Sequence, residues 1–189
     1  TADKFAYIAK KASKDRTINI RITEDLDFGE ISEYYEPIVG AYAGTIDGGG
    51  HIISNFIIDR PDVQMQGLIG LAGACTIKNL TINAGERAVN IINQPATVTL
   101  NAVTAAASNN AVMIATSAGA VNLTINDSDL TGLAVVNVAG AGAKVAINNT
   151  KITNTDANAN ENYGAITVWS SAEGANVTVS GGSITVADD

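Results

Sequence analysis

Large apolar residues recur along this chain at the first and last positions of a six-residue unit. The unit reads Ile53-Ser54-Asn55-Phe56-Ile57-Ile58, Ile77-Lys78-Asn79-Leu80-Thr81-Ile82 and Leu100-Asn101-Ala102-Val103-Thr104-Ala105. It continues as Ile125-Asn126-Asp127-Ser128-Asp129-Leu130, Ile147-Asn148-Asn149-Thr150-Lys151-Ile152 and Val179-Ser180-Gly181-Gly182-Ser183-Ile184. First positions lie 24, 23, 25, 22 and 32 residues apart. A second apolar patch leads each later unit by a steady distance: Leu68-Ile69, Ile91-Ile92, Val112-Met113-Ile114, Val135-Val136 and Ile166-Thr167-Val168. Short β-branched segments separated by Gly, Asn, Ala and Ser predict two or three strands per repeat, and helical periodicity is absent beyond the first residues.

One such coil cannot bury its own inward Ile and Val. Stacking coils at ~4.8 Å pairs their backbones in parallel and merges the apolar positions into one core. The predicted fold is therefore all-β: a single-stranded right-handed parallel β-helix, with coils over 17–187 in a single domain, 1–189. The spacing predicts about six to eight coils. A leucine-rich repeat has a similar period but needs an LxxLxL pattern with a helical segment, and neither recurs.

Phe5, Ile8, Ala9 and Ala12 lie at helical spacing, with Lys4, Lys10, Lys11 and Lys14 elsewhere. This predicts an amphipathic helix over 2–13 that caps the first coil, followed by a strand in which Ile18, Ile20 and Ile22 alternate with polar residues. At the other end Val177, Val179, Ile184 and Val186 continue as strand, with no helix or aromatic plug behind them. Asp188 and Asp189 could blunt that edge; otherwise self-association or a further domain is expected there. The long last spacing places a protruding polar loop around 155–162.

Charge sharpens this picture. The net charge is −8, and residues 1–62 hold 18 of the 30 charges. The rest is rich in Ala, Val, Ile, Asn, Thr and Gly. No basic stripe exists, which argues against nucleic acid as a partner. No apolar run is long enough for a membrane span. The chain starts at Thr1 without Met or an apolar leader, as after removal of a targeting segment or truncation. Cys75, the single cysteine, sits in an apolar repeat position and reads as a core residue. One Cys and one His suggest no zinc site, and no cofactor is implied. Asn101, Asn126 and Asn148 share the second position of the unit, where stacked amides can form a ladder; Asn also tolerates the left-handed backbone of a corner.

Residues 36–83 carry a family resemblance. Glu36-Pro37-Ile38-Val39-Gly40, then Ala43-Gly44-Thr45-Ile46-Asp47-Gly48-Gly49-Gly50-His51-Ile52-Ile53-Ser54-Asn55, resembles a PIG…FxGTFDGNGHTISN stretch. Gly67-Leu68-Ile69-Gly70 followed by Ile77-Lys78-Asn79-Leu80 is similar to the GLFG…IKNL pattern of GLUG-motif proteins. Those are pectin-lyase-like β-helical proteins, secreted or surface-anchored in Bacteroides-type bacteria and often described as adhesins. The resemblance covers about a quarter of the chain; the C-terminal half has no clear GLUG unit. It implies a secreted or cell-surface location on a bacterial outer surface. Gly48, Gly49 and Gly50 read as a coil corner, since a phosphate-cradling loop would be followed by a helix and a Lys.

Polysaccharide lyases and glycoside hydrolases share the pectin-lyase-like fold, and make the enzymatic alternative. Asn154-Thr155-Asp156 and then Asp188-Asp189 resemble the start of a polygalacturonase motif order, but the later His and Arg are missing. The pairs Asp25/Asp27 and Asp127/Asp129 lack a nearby Arg base in sequence. The chain is therefore expected not to be an enzyme, with no catalytic or metal residues. The expected function is adhesion, or binding of a glycan or a host or cell-surface protein. Candidate binding residues are the aromatics Tyr34, Tyr35, Tyr42, Tyr163 and Trp169, whose rings suit sugar faces, with Asp156 and Glu161 in the late loop.

Overall fold

The computed structural model describes residues 1–31, 35–56, 67–69, 72–156 and 163–187. It is a parallel β-solenoid of about five turns with one N-terminal helix. Among the described residues, helix α1 (Ala2–Ala12) precedes thirteen strands. They are β1 (Ile20–Arg21), β2 (Leu26–Asp27), β3 (Thr45–Phe56), β4 (Ala74–Ala84), β5 (Arg87–Ile91), β6 (Thr97–Ala107) and β7 (Asn110–Ile114). The rest are β8 (Asn122–Asn126), β9 (Asp129–Gly132), β10 (Val136–Val138), β11 (Lys144–Asn154), β12 (Ile166–Val168) and β13 (Asn176–Val186). The long wall orders β1-β3-β4-β6-β8-β11-β13, with β2 beside β3 and β9 between β6 and β11; a second wall orders β5-β7-β10-β12. The turn count falls below the six to eight that the spacing predicts.

Five of the six repeat units stack in register as their spacing predicts. Ile77, Leu100, Ile125, Ile147 and Val179 form one inward column, and Ile82, Ala105, Leu130, Ile152 and Ile184 form the other. The first unit is a correction. Ile77 stands beside Ile46, and Ile53 stands beside Ile82, in the last-position column. The first unit therefore starts at Ile46 and carries Gly48–Gly50 as its corner. Ile57 and Ile58, which the sequence assigned to that unit, lie outside the described residues.

Each coil turns this corner with a residue in the left-handed region: Gly49, Asn79, Ala102, Asp127, Asn149 and Gly181. That conformation costs most L-residues about 1–2 kcal/mol, which explains the prevalence of Gly and Asn. Gly48 is required for space: a Cβ there would lie 2.2 Å from the Asn79 carbonyl oxygen. One position before the left-handed residue, Asn126 Nδ2 donates to Asn101 Oδ1 at 2.7 Å and Asn148 Nδ2 donates to Asn126 Oδ1 at 2.8 Å. The expected amide ladder therefore forms across three coils. Lys78 interrupts it below, and its ammonium pairs with Asp47 at 3.1 Å.

The N-terminal end is closed. Helix α1 buries Ala2, Phe5, Ala9 and Ala12, while Ile8, expected on this face, flanks it and is exposed. Phe5 meets an aromatic cluster of Phe28, Tyr35 and Phe56, with ring centroids 5.1–6.0 Å apart and mostly edge-to-face. The first-coil carboxylates are tied to the backbone. Asp25 accepts from Ile52 N–H and contacts His51 Nδ1 at 3.1 Å; Asp27 accepts from Asn55 Nδ2 and Gly29 N–H; Asp47 accepts from Gly49 N–H and Asn79 Nδ2.

Two outcomes follow for stability. Asn126→Ala removes both ladder bonds and should lower the unfolding free energy by about 1–2 kcal/mol, read as a lower urea midpoint at unchanged slope. The backbone bonds hold Asp25 and Asp47, and the Asn55 amide holds Asp27, below the usual carboxylate range, Asp47 down to about 2. Groups depressed in the folded state contribute stability that is complete above the unfolded pKa near 4 and is lost as pH falls toward 2. Melting temperature should therefore fall through that window, and Asp47→Asn should make the fall shallower than in the parent chain.

Candidate functional site

The second wall carries the most varied outward chemistry among the described residues. Strand alternation turns every second side chain away from the core. Val89 and Ile91, Val112 and Ile114, and Val136 and Val138 point inward and are buried. The residues between them, Asn90, Met113, Asn137 and Thr167, are register partners on successive coils. The row thus holds an amide, a thioether, a second amide and a hydroxyl, of which Asn90 and Asn137 are buried while Met113 and Thr167 are partly exposed.

A groove of about 380 Å³ opens on this wall, lined by Arg87, Asn90, Ile92, Met113, Ala115, Thr116 and Ser117. One lip is the 3-10 turn Thr116–Ala118, braced by Asn93 N–H donating to Ser117 Oγ at 3.3 Å. Arg87 is held at the side. Its Nη2 lies 2.8 Å from Glu86 Oε1, and its Nε donates to Asn110 Oδ1 at 3.2 Å. Asn110 in turn donates to the Ala134 carbonyl at 2.7 Å. A guanidinium fixed in this way offers a planar donor fork in a set orientation.

Trp169 follows directly on β12. Its backbone N–H donates to the Val138 carbonyl, and its indole Nε1 donates to Asn137 Oδ1 at 2.6 Å. The indole is anchored at its polar edge yet 39% exposed. Tyr163, before β12, is 38% exposed, and its carbonyl accepts from Asn154 Nδ2 at 3.3 Å. The two aromatics bracket β12, about 10 Å from β7 by strand spacing. The site can therefore offer aromatic surface, the exposed hydroxyls of Thr116 and Ser117, and one oriented cation.

The other expected aromatics behave differently. Tyr35 and Tyr42 are buried and offer no ring to a ligand: the Tyr35 hydroxyl donates to the Leu68 carbonyl at 2.6 Å, and that of Tyr42 to the Ile18 carbonyl at 2.8 Å. Burial pushes both phenols above their ordinary range. Their place in a binding surface is thereby corrected to a place in the core. Asp156 is buried too, with its backbone N–H donating to Asn154 Oδ1 at 3.1 Å. Tyr34 and Glu161 lie outside the described residues, as do 157–162 of the predicted loop, Gly70, Asp188 and Asp189.

The remaining chemistry-bearing residues serve the coil. Asp127 accepts from Asn149 Nδ2 at 3.4 Å, and Asp129 pairs with Lys151 at 3.1 Å. Cys75 is buried, and desolvation pushes its thiol up to about 12, far from reactive. Among the described residues no three of His, Cys, Asp and Glu gather as a metal site would need. The groove itself was not anticipated from sequence. Its signal was the polar or soft residue interrupting each apolar triplet, in Val89-Asn90-Ile91, Val112-Met113-Ile114 and Val136-Asn137-Val138.

No protein-family profile matches the chain, and no solved structure matches it. Among curated proteins it is similar to halomucin of Haloquadratum walsbyi, 45% identical over 53 residues. That stretch is 25% of this chain and 1% of halomucin, so the similarity spans a very small part of that protein's length.

Proposed function

We propose that this chain is a non-enzymatic β-solenoid module of a secreted or cell-surface protein, and that it binds glycan through the outer face of its second wall. The carrying observation is Trp169, whose indole is pinned by Asn137 but remains open on the wall that also holds the Arg87–Met113 groove. An aromatic platform beside exposed hydroxyls and an oriented guanidinium suits sugar rings bearing hydroxyl or carboxylate groups. The GLUG-like corner residues support a surface setting, and the short similarity to halomucin, a mucin by name, is compatible with it. A binding rather than catalytic role rests on where the carboxylates lie. Those of Asp127 and Asp129 are engaged with neighbouring coils, and none lines the groove.

A glycan array followed by calorimetry on the best ligand tests this reading. Trp169→Ala should weaken binding at least about tenfold, a loss of about 1.4 kcal/mol, with the circular dichroism of the solenoid unchanged. Arg87→Gln should weaken acidic glycans more than neutral ones. Absence of any glycan above background, binding indifferent to Trp169→Ala, or product release from polyuronides would each overturn it.

A further inference from the structure

Asparagine followed two places later by Thr or Ser occurs five times among the described residues. The triplets are Asn79-Leu80-Thr81, Asn122-Leu123-Thr124, Asn126-Asp127-Ser128, Asn148-Asn149-Thr150 and Asn176-Val177-Thr178. None has Pro at its centre, so each matches the acceptor pattern for an N-linked glycan. A repeat rich in Asn and Thr produces such triplets for architectural reasons alone. Stacking of the coils separates the architectural ones from the rest, because an acceptor must present its amide nitrogen to an enzyme and then leave room for a sugar.

Three of the five fail that requirement. Asn126 Nδ2 donates to Asn101 and Asn148 Nδ2 donates to Asn126, so both amides are committed to the ladder. A sugar on either nitrogen would have to enter a coil spacing of ~4.8 Å that the stacked side chains already fill. Asn79 takes the left-handed corner at φ 52°, and its Nδ2 donates to Asp47 Oδ1 at 3.2 Å.

Asn122 is placed differently. It opens β8, which has β6 on one side and β11 on the other, so its exposure owes nothing to an end of the solenoid. The backbone is fixed there, with Asn122 N–H donating to the Ala96 carbonyl at 2.8 Å. The side chain is exposed and joins no hydrogen bond or ion pair among the described residues. Its register neighbours are Thr97 and Lys144, both exposed, and neither extends an amide ladder through it. Strand alternation turns Thr124 to the same outward face, with Leu123 buried between the two. The amide and the hydroxyl that the acceptor pattern demands thus stand side by side toward solvent. Asn176 follows in the same column on the last coil, beyond Lys144; of the two, only Asn122 has a coil on either side.

We infer that Asn122 bears an N-linked glycan; this rests on the secreted or cell-surface setting proposed above. The donor is a glycan carried on a lipid diphosphate. Asn122 Nδ2 bonds to the anomeric carbon as the bond from that carbon to the diphosphate oxygen breaks. The amide gives up one proton, and the lipid diphosphate leaves with the electron pair. The attached sugar extends away from the wall, so the ladder and the apolar columns stay as they are.

Glycopeptide mass spectrometry on the chain recovered from the cells that make it tests this. The majority of molecules should carry a glycan that fragmentation places on Asn122, with Asn79, Asn126 and Asn148 unmodified. Thr124→Ala should abolish the modification and Thr124→Ser should retain it, both with the circular dichroism of the parent. An unmodified Asn122 in chain found at the cell surface would overturn the assignment and leave the surface reading intact. Chain confined to the cytoplasm would overturn both. A glycan that survives Thr124→Ala, or that sits equally on the ladder amides of folded protein, would also overturn it.

Discussion

The structure depends on one constraint: no coil of this chain can bury its own apolar residues, so each must lie in register on the next. Register in turn demands that every coil bend at the same place. The long wall meets this with a left-handed residue at one fixed point, from Gly49 to Gly181. Once the corners superpose, the residue beside each is held a coil spacing above its equivalent. Asn at that place becomes a ladder because neighbouring amides have no choice but to meet. The polar rows of the surface are thus consequences of the apolar columns beneath them.

Much of this was legible in the sequence because the period of the apolar residues is the register. From Ile77 onward, spacing alone places each strand beside its correct neighbour. The first coil misleads for a physical reason. A unit that is apolar at both ends looks alike from either end, and Ile53, the close of one unit, sits nearly one period before Ile77 and mimics its start. The bulges in the β3–β4 pairing, between Asp47 and His51 and between Ile53 and Phe56, lengthen that coil beyond what a steady period anticipates. Ile8 was misassigned because the buried stripe of α1 runs Ala2-Phe5-Ala9-Ala12, and a small residue can define a buried face as well as a large one.

The candidate site was less legible, and the tyrosines explain why. Tyr35 and Tyr42 stand near each other in sequence, as a sugar platform might. Yet a phenol also suits the end of a solenoid core, where its ring fills the interior and its hydroxyl reaches a carbonyl at the margin. Sequence does not separate these uses, because both want the same side chain. Trp169, expected among the binding residues, is 39% exposed. The groove beside it draws on residues 23 apart, Asn90 and Met113 among them, which become neighbours only after stacking.

The contrast between the two walls decides where binding is best sought. On the long wall, the repeated Asn side chains meet their own kind, so each oxygen or nitrogen used in the ladder is withdrawn from any ligand. On the second wall, the equivalent row changes chemistry at every step: Asn90, Met113, Asn137, Thr167. Unlike neighbours cannot form a self-satisfying ladder. Asn137 turns instead to the Trp169 indole, and its acceptance of that N–H fixes the ring at its edge while leaving surface open. A uniform row satisfies itself; the mixed row leaves the Trp169 ring to present. In a fold whose architecture is repetition, the departure from repetition is the feature that architecture does not explain.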